Sequence, residues 1–387
     1  MKKIIFLIHI GNIKKSSGII QKVIHQSNAL FKHGNLFKTV IFYKAEETDL
    51  VKNIKKLDYI EFIPLVYYKK YNNIIKNYIT IQKIYFEYIK ICNKYKSEYD
   101  YIYVRMNPVY YGFIKFVTKF NKKIIFEHNS NELAEYKANK AFFKVLKSYI
   151  FDKYVRRKAK GFVAVTKEIY EYEKPLYICN GVIITNGIDV ANYKFRKIPI
   201  FDQKNLNMIF VGNIRYWHGL ERIVYSLENY SGKMNITFNI CGLINQEDDY
   251  LTPIIKKINN PYVKINMLGY KTQKELDELF NKSHIAIGCL GLYKKNMEYA
   301  SVLKNREYFA RGIPIVFSEI DEDICIKENK NLYLKVPNNS SKIDINNLIK
   351  FVTTFYRNAD KNCLKIRKFA ENNLDFDKKE MRLKKIL

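Results

Sequence analysis

The 387-residue chain predicts an α/β protein built from two Rossmann-like units. Two observations lead there. Strand-like and helix-like segments alternate throughout, as in parallel sheets with helical crossovers. At Met208 the pattern that opens the chain, strand then glycine loop then helix, starts afresh. The length is too great for one small core and suits two domains. A composition of 48% hydrophobic and 15% aromatic residues is ample for packing them, so disorder is not expected.

In the first half, residues 4–8 read as a strand, followed by a loop through Gly11 and Gly18 and a helix over 19–32. Strands at 38–43 and 60–66 follow, then a long Tyr-rich helix at 74–94. Residues 101–105 and 123–127 are further strands, 142–158 a basic helix, and 161–165 a strand running into Thr166. The turn-rich Asn186-Gly187-Ile188-Asp189 and a polar stretch place the boundary within 186–206. After the restart, 208–211 is a strand, 212–219 a glycine loop, and 220–230 a helix with apolar positions at helical spacing. Strands at 235–241 and 263–267, a helix at 274–281 and a strand at 284–289 follow. The expected domains are 1–190 and 205–370, with 371–387 as a C-terminal helix packing back toward the first.

The formal net charge is +29, and its distribution is uneven. Residues 1–200 hold 37 Lys and Arg against 16 Asp and Glu, whereas the rest hold 30 against 22. A basic first half suits an anionic membrane face or a lipid-phosphate substrate. Nucleic acid would suit it too, but no recognised nucleic-acid motif is visible, so none is expected as a partner. The six cysteines (Cys92, Cys179, Cys241, Cys289, Cys325, Cys363) are scattered and form no Cys-x-x-Cys pair. They read as thiols of a reducing cytoplasm, not as a metal site or a disulfide framework. The start, Met-Lys-Lys before an apolar run, imitates a signal peptide, yet the run is short and lacks a cleavage site. No stretch has the length of a membrane span, so membrane contact is expected to be peripheral, at the inner face.

The segment 298–316 reads Glu-Tyr-Ala-Ser-Val-Leu-Lys-Asn-Arg-Glu-Tyr-Phe-Ala-Arg-Gly-Ile-Pro-Ile-Val. It describes a helix with marked ends: Ser301 to cap the start, Gly312 for the left-handed residue after the last turn, and Pro314 to prevent continuation. Its first turns carry Lys304, Arg306 and Glu307. A helix start with free N–H groups and a partial positive charge suits a phosphate, and a carboxylate one turn on suits sugar hydroxyls. The segment resembles the donor-site motif of family 4 glycosyltransferases of the GT-B fold, in the variant Glu-Ala-Ser-x-Leu-Lys-x-Arg-Glu-Tyr. Ser301, Leu303, Lys304, Arg306, Glu307, Tyr308, Gly312 and Pro314 fall in register. Glu298 and Glu307 have eight residues between them where the family has seven, so the match rests on Glu307.

Residues 210–220 resemble the family's second donor motif, in which a glycine, here Gly212, lets the backbone approach the donor while Arg and Lys flank the diphosphate. Asn213 and His218 stand in those basic positions, with Arg215 two residues after Asn213. Charge developing on the leaving diphosphate still needs neutralising, and Arg215, Lys304 and His218 are the candidates, in that order. Gly18 matches the glycine of the N-terminal donor loop. His128 and Glu132, after a strand end, match the loop that faces the donor sugar. Glu319, Asp321, Glu322 and Asp323 read as a solvated acidic turn.

The resemblance implies two Rossmann-like domains facing across a cleft, and retaining transfer of a glycosyl (hexosyl) group from a nucleoside-diphosphate sugar to a hydroxyl. The expected acceptor is a surface polysaccharide or lipid-linked glycan intermediate of a bacterium, such as a capsule or lipopolysaccharide precursor. His128, Glu132, Arg215 and Lys304 would be catalytic. Gly18, Gly212, Asn213, His218, Glu298, Ser301, Leu303, Arg306 and Glu307 would bind the donor. Neither a cofactor nor a catalytic metal is expected. Another nucleotide-sugar enzyme such as an epimerase, and a basic nucleic-acid-binding protein, are the alternative readings. The dinucleotide fingerprint, the Walker pattern and a nucleophile elbow are all missing from the sequence.

Overall fold

A computed structural model describes residues 2–11, 13, 16–52, 57–65, 74–106, 108–138, 140–244 and 249–387. The chain divides into two compact units, Met1–Asn186 with Phe376–Leu387, and Gly187–Asp375. Each is an α/β unit around one parallel sheet. No helix among the described residues is long and apolar enough to cross a membrane.

The first sheet holds β1 (Ile4–Ile10), β2 (Leu36–Lys44), β3 (Ile60–Leu65), β4 (Tyr101–Arg105), β5 (Ile124–His128), β6 (Gly161–Ala164) and β7 (Gly181–Ile183). Their spatial order is β3-β2-β1-β4-β5-β6-β7, every pair parallel. Strand β1 is a near-continuous apolar run and β5 is buried along its whole length, as a sheet covered on both faces requires. Residue 66, expected to end β3, lies outside the described residues. The terminal segment contributes Leu383 and Ile386 to this unit's core.

The second sheet holds β8 (Asn205–Val211), β9 (Asn235–Cys241), β10 (Val263–Gly269), β11 (Ile285–Ile287), β12 (Ile315–Phe317) and β13 (Tyr333–Lys335), in the order β10-β9-β8-β11-β12-β13. In both units the order reverses beside the first strand, between β1 and β4 and between β8 and β11. Ligands of open parallel sheets bind at such switch points, off the carboxyl ends of the strands. The chain leaves the first unit after Asn186 and returns after Asp375. On the second unit's side those two segments pair, Ile188 N–H donating to Leu374 C=O at 2.9 Å.

Candidate functional site

In the second unit, the loops after β8, β9 and β11 converge at the switch point. Gly212 has φ +141°, and a Cβ there would lie 3.2 Å from Lys304 Nζ. A Cβ on Gly242 would lie only 2.0 Å from Gly212 O, and one on Gly219 2.6 Å from Gly291 N. Only glycine allows these backbones to meet. The hydroxyl of buried Tyr308 ties the ends of β8 and β11 together, accepting from Val211 N–H at 2.9 Å and donating to Ile287 C=O at 3.3 Å. Sequence reasoning left Tyr308 as a motif match without a role.

The donor-motif helix spans Leu303–Ala310. Its end is as expected: Gly312 has φ +72°, its N–H reaches Phe309 C=O, and Ile313 N–H reaches Tyr308 C=O, a complete Schellman motif. Its start differs. Val302 is the cap residue, no side chain caps the helix, and Ser301 is buried one residue outside it. Leu303 is the first helical residue.

Lys304 faces the Gly212 loop. Its ammonium nitrogen is buried, 3.7 Å from the centroid of the Phe210 ring, and has no hydrogen-bond partner among the described residues. Burial pulls its pKa down to about 7. Nearby, Glu319 is fully buried and takes an Asn305 amide hydrogen bond on Oε1 at 2.8 Å, while its Oε2 and the Asn305 Oδ1 have no hydrogen-bond partner among the described residues. Burial pushes the Glu319 carboxyl up to about 7. Sequence reasoning missed Asn305 and assigned Glu319 to a solvated turn. Glu319 and Asp321 are in fact fully buried.

Asp321 is buried because Arg306 is. The Arg306 guanidinium is fully enclosed and pairs with Asp321 at 2.9 Å (Nη2–Oδ1) and with Asp323 at 2.7 Å. Arg306 is therefore an internal cation, not the donor ligand expected from the sequence. Glu307 lies on Lys304's side of the helix, and its Oε1 accepts from Arg311 Nε at 2.9 Å. Arg311 in turn pairs with Asp277 at 2.6 Å. Burial raises the Glu307 pKa against the pull of Arg311.

His218 also departs from expectation. Its Nδ1 accepts the Arg215 backbone N–H at 3.2 Å, and burial holds its pKa well below the usual value, with Lys304, Arg215 and Lys295 adding to the effect. It is a neutral acceptor, not a cation. Arg215 is half-buried and stands by Trp217, 6.0 Å from the ring centroid. Asn213 is half-buried in the Gly212 loop. Glu298 is exposed, and its carbonyl accepts from Ile320 N–H at 2.8 Å, so its segment pairs beside the strand end and not on the helix.

In the first unit, Gly18 sits in the first turn of helix Ser17–Lys32, with open space where a Cβ would be. His128, at the end of β5, is fully buried, its Nε2 2.7 Å from the Tyr177 hydroxyl and its Nδ1 3.3 Å from Glu132. Burial lowers its pKa to about 4, and Glu132 is pushed up to about 7 by the same cause. The His128 imidazole is thus engaged by protein groups on both sides. His128, Glu132 and Glu173 offer ligand atoms within 4.8 Å of one another, but Arg156 already lies on Glu173 at 3.0 Å and supplies the positive charge a metal would bring. Lys22 and Glu127 form a buried ion pair at 2.9 Å next to this network.

No family model matches the chain, and no curated protein matches it significantly. Solved structures do. Sucrose-phosphate synthase from Thermosynechococcus elongatus is 13% identical with a TM-score of 0.69, covering 100% of this chain and 98% of its own. HepE of Anabaena, solved in complex with UDP and glucose, is 13% identical with a TM-score of 0.62, covering 100% and 99%. WaaG, a glycosyltransferase involved in lipopolysaccharide biosynthesis, is 11% identical with a TM-score of 0.62, covering 98% and 99%. The fold is that of the GT-B glycosyltransferases, two parallel-sheet α/β domains.

Proposed function

We propose that the chain is a glycosyltransferase moving a sugar from a nucleoside-diphosphate sugar to a hydroxyl, with retention at the anomeric carbon. One observation carries the reading: the buried, unpartnered Lys304 ammonium beside Gly212, at the start of a helix and at the sheet's switch point. A buried cation with no partner is costly unless a ligand completes it. A diphosphate would, while the helix start adds its partial positive charge. Arg215 is the second cation in reach of the same loop. Together they would neutralise charge on the leaving diphosphate, and this stabilisation with placement of the acceptor supplies most of the rate. With Oε1 held by Arg311, Glu307 offers Oε2 to the nucleoside ribose. Gly18 leaves space for a ligand phosphate in the first unit, and Glu298 is assigned to the sugar. No step of this reading calls for a metal or a cofactor.

The similar fold of HepE, solved with UDP and glucose, supports a nucleotide-sugar donor. The acceptor we propose is a glycan or a lipid-linked glycan intermediate. Thermal shift against UDP-, GDP- and CMP-sugars is the direct test. Saturation at about 100 times the dissociation constant adds about 2.7 kcal/mol to stability. A shift with one nucleotide class that disappears in Lys304→Ala supports the site. Equal shifts in wild type and variant would place the diphosphate elsewhere, and turnover of donor without a glycosylated product would overturn the transferase reading.

A further inference from the structure

Helix Phe142–Arg157 of the first unit is built inside out. Its inward side carries Ser148, Asp152, Val155 and Arg156, with Arg156 Nη1 3.1 Å from Asp152 and its Nη2 on Glu173. Its outward side carries the bulk: Phe142 is 70% exposed, Phe143 76% and Tyr149 63%, and Leu146, Ile150 and Tyr154 are exposed with them. At 3.6 residues per turn these six fall on one face. Tyr111 on the neighbouring helix Tyr111–Lys119 extends the patch, and the Tyr154 and Thr118 hydroxyls, 3.2 Å apart, join the two helices. An exposed apolar face of this size marks a contact surface.

The charges identify the partner. Lys144, Lys153 and Arg157 are exposed, and Lys147 lies 5.0 Å from the Tyr110 ring. The helix's one acid, Asp152, is turned inward onto Arg156. The helix's outward side therefore offers aromatic and aliphatic side chains ringed by cations, with no carboxylate of its own. A lipid bilayer with anionic headgroups meets both demands at once, an apolar layer to receive the rings and phosphates to meet the lysines.

We propose that this helix is a membrane-docking surface that lies in the interface of an anionic bilayer. The proposal stands apart from the Lys304 site, which belongs to the other unit and is read by nucleotide affinity on the same variants. The test is co-sedimentation of the full chain with vesicles of phosphatidylcholine alone or mixed with phosphatidylglycerol. Two triple variants are compared, Phe143→Ser/Leu146→Ser/Ile150→Ser and Lys144→Gln/Lys147→Gln/Lys153→Gln, with circular dichroism and nucleotide affinity as checks on folding. All six side chains reach solvent, so both variants should fold. Wild type should bind the anionic vesicles and not phosphatidylcholine alone. The lysine variant should lose about fivefold per charge, roughly 100-fold in all at low salt. The apolar variant should lose at least about tenfold and should not recover at low salt. Wild type left in the supernatant with anionic vesicles would overturn the proposal, as would either variant sedimenting like wild type. A dimer in solution that the apolar variant dissociates would also overturn it, by showing a second copy on this face.

Discussion

Lys304 is the residue on which the donor reading turns, and its titration gives a prediction with a definite sign. Burial lowers its pKa from 10.5 to about 7 in the folded chain. Below pH 7 the buried ammonium destabilises the nucleotide-free fold in full, and the penalty is relieved as pH rises from 7 toward 10.5, where only the unfolded chain still holds the proton. A bound diphosphate favours the charged form, so binding near pH 8 should take up about one proton. Affinity should then fall by up to about tenfold per pH unit above 7. Calorimetry in buffers of different ionisation enthalpy reads both. Cys289, Glu319, His218 and Arg215 share the field, and of these Glu319 also titrates near 7, so Glu319→Gln is the control. Lys304→Met should bind weakly at every pH, with no proton uptake. A pH-independent wild type would mean that this ammonium does not meet the diphosphate.

Glu307 calls for a different substitution from the one its motif position suggests. Removing the carboxylate also strips a partner from Arg311, which is 1% exposed. Glu307→Ala should therefore destabilise the fold as well as weaken the donor. Glu307→Gln keeps the oxygen that Arg311 needs. It should fold normally and lose roughly 10- to 150-fold in kcat/KM, the worth of one charged hydrogen bond of about 1.5–3 kcal/mol. Full turnover in Glu307→Gln at low donor concentration would remove the residue from the site.

At the scale of the element, helix Leu303–Ala310 divides its charges by geometry. Positions 304 and 307 lie one turn apart on the same side, whereas 306 is two residues from 304, about 200° around the helix. Arg306 consequently points into the unit, onto Asp321 and Asp323, while Lys304 points at the glycine loop. Breaking that internal pair leaves an uncompensated buried charge, so Arg306→Ala or Asp321→Ala should cost about 3–5 kcal/mol in urea unfolding. Nucleotide affinity of the remaining folded fraction should hold. A loss of affinity without loss of stability would return Arg306 to the donor.

The same helix shows what the sequence could and could not reveal. Gly312 and Pro314 announced the helix end because left-handed φ and a missing N–H are local properties of single residues. The alternation of elements announced both sheets for the same kind of reason, since short apolar runs bounded by turn residues and the 3.6 period of helices are carried in the chain itself. Ser301 misled because a capping residue type does not say which residue takes the cap geometry. The acidic run 319–323 misled because it looks solvated until the distant Arg306 is placed against it. His218 misled because its neutrality comes from burial and three neighbouring cations, two of them far away in sequence. Helix 142–157 was legible as basic, but which face looks outward is decided by Glu173, seventeen residues beyond Arg156.

At the scale of the whole molecule, the chain crosses between its units at Asn186 and again at Asp375, so that Phe376–Leu387 completes the unit that Met1 begins. The segment's contribution to that unit is core packing. Leu383 and Ile386 join the cluster that includes Ile4, Val182 and Ile184, and Phe376 packs by His25 with ring centroids 6.5 Å apart. At the surface Asp377 pairs with Lys32 at 2.7 Å, and in the interior the buried Lys379 bonds the Thr185 hydroxyl. Burying each of Phe376, Leu383 and Ile386 stabilises by about 1.5–3 kcal/mol, so their loss together, roughly 4.5–9 kcal/mol, rivals the whole stability of an ordinary domain. A chain cut after Asp375 should therefore lose hydrogen-exchange protection in β1, β6 and β7, while β8, β9 and β11 stay protected. The part of nucleotide binding carried by Lys304 and Glu307 of the second unit should survive the cut, whereas vesicle binding should weaken as the first unit loosens. Unchanged protection in β1 and β7 would show that the first unit does not depend on its returning segment, and loss of nucleotide affinity in step with that protection would show that the donor site needs more than the second unit alone.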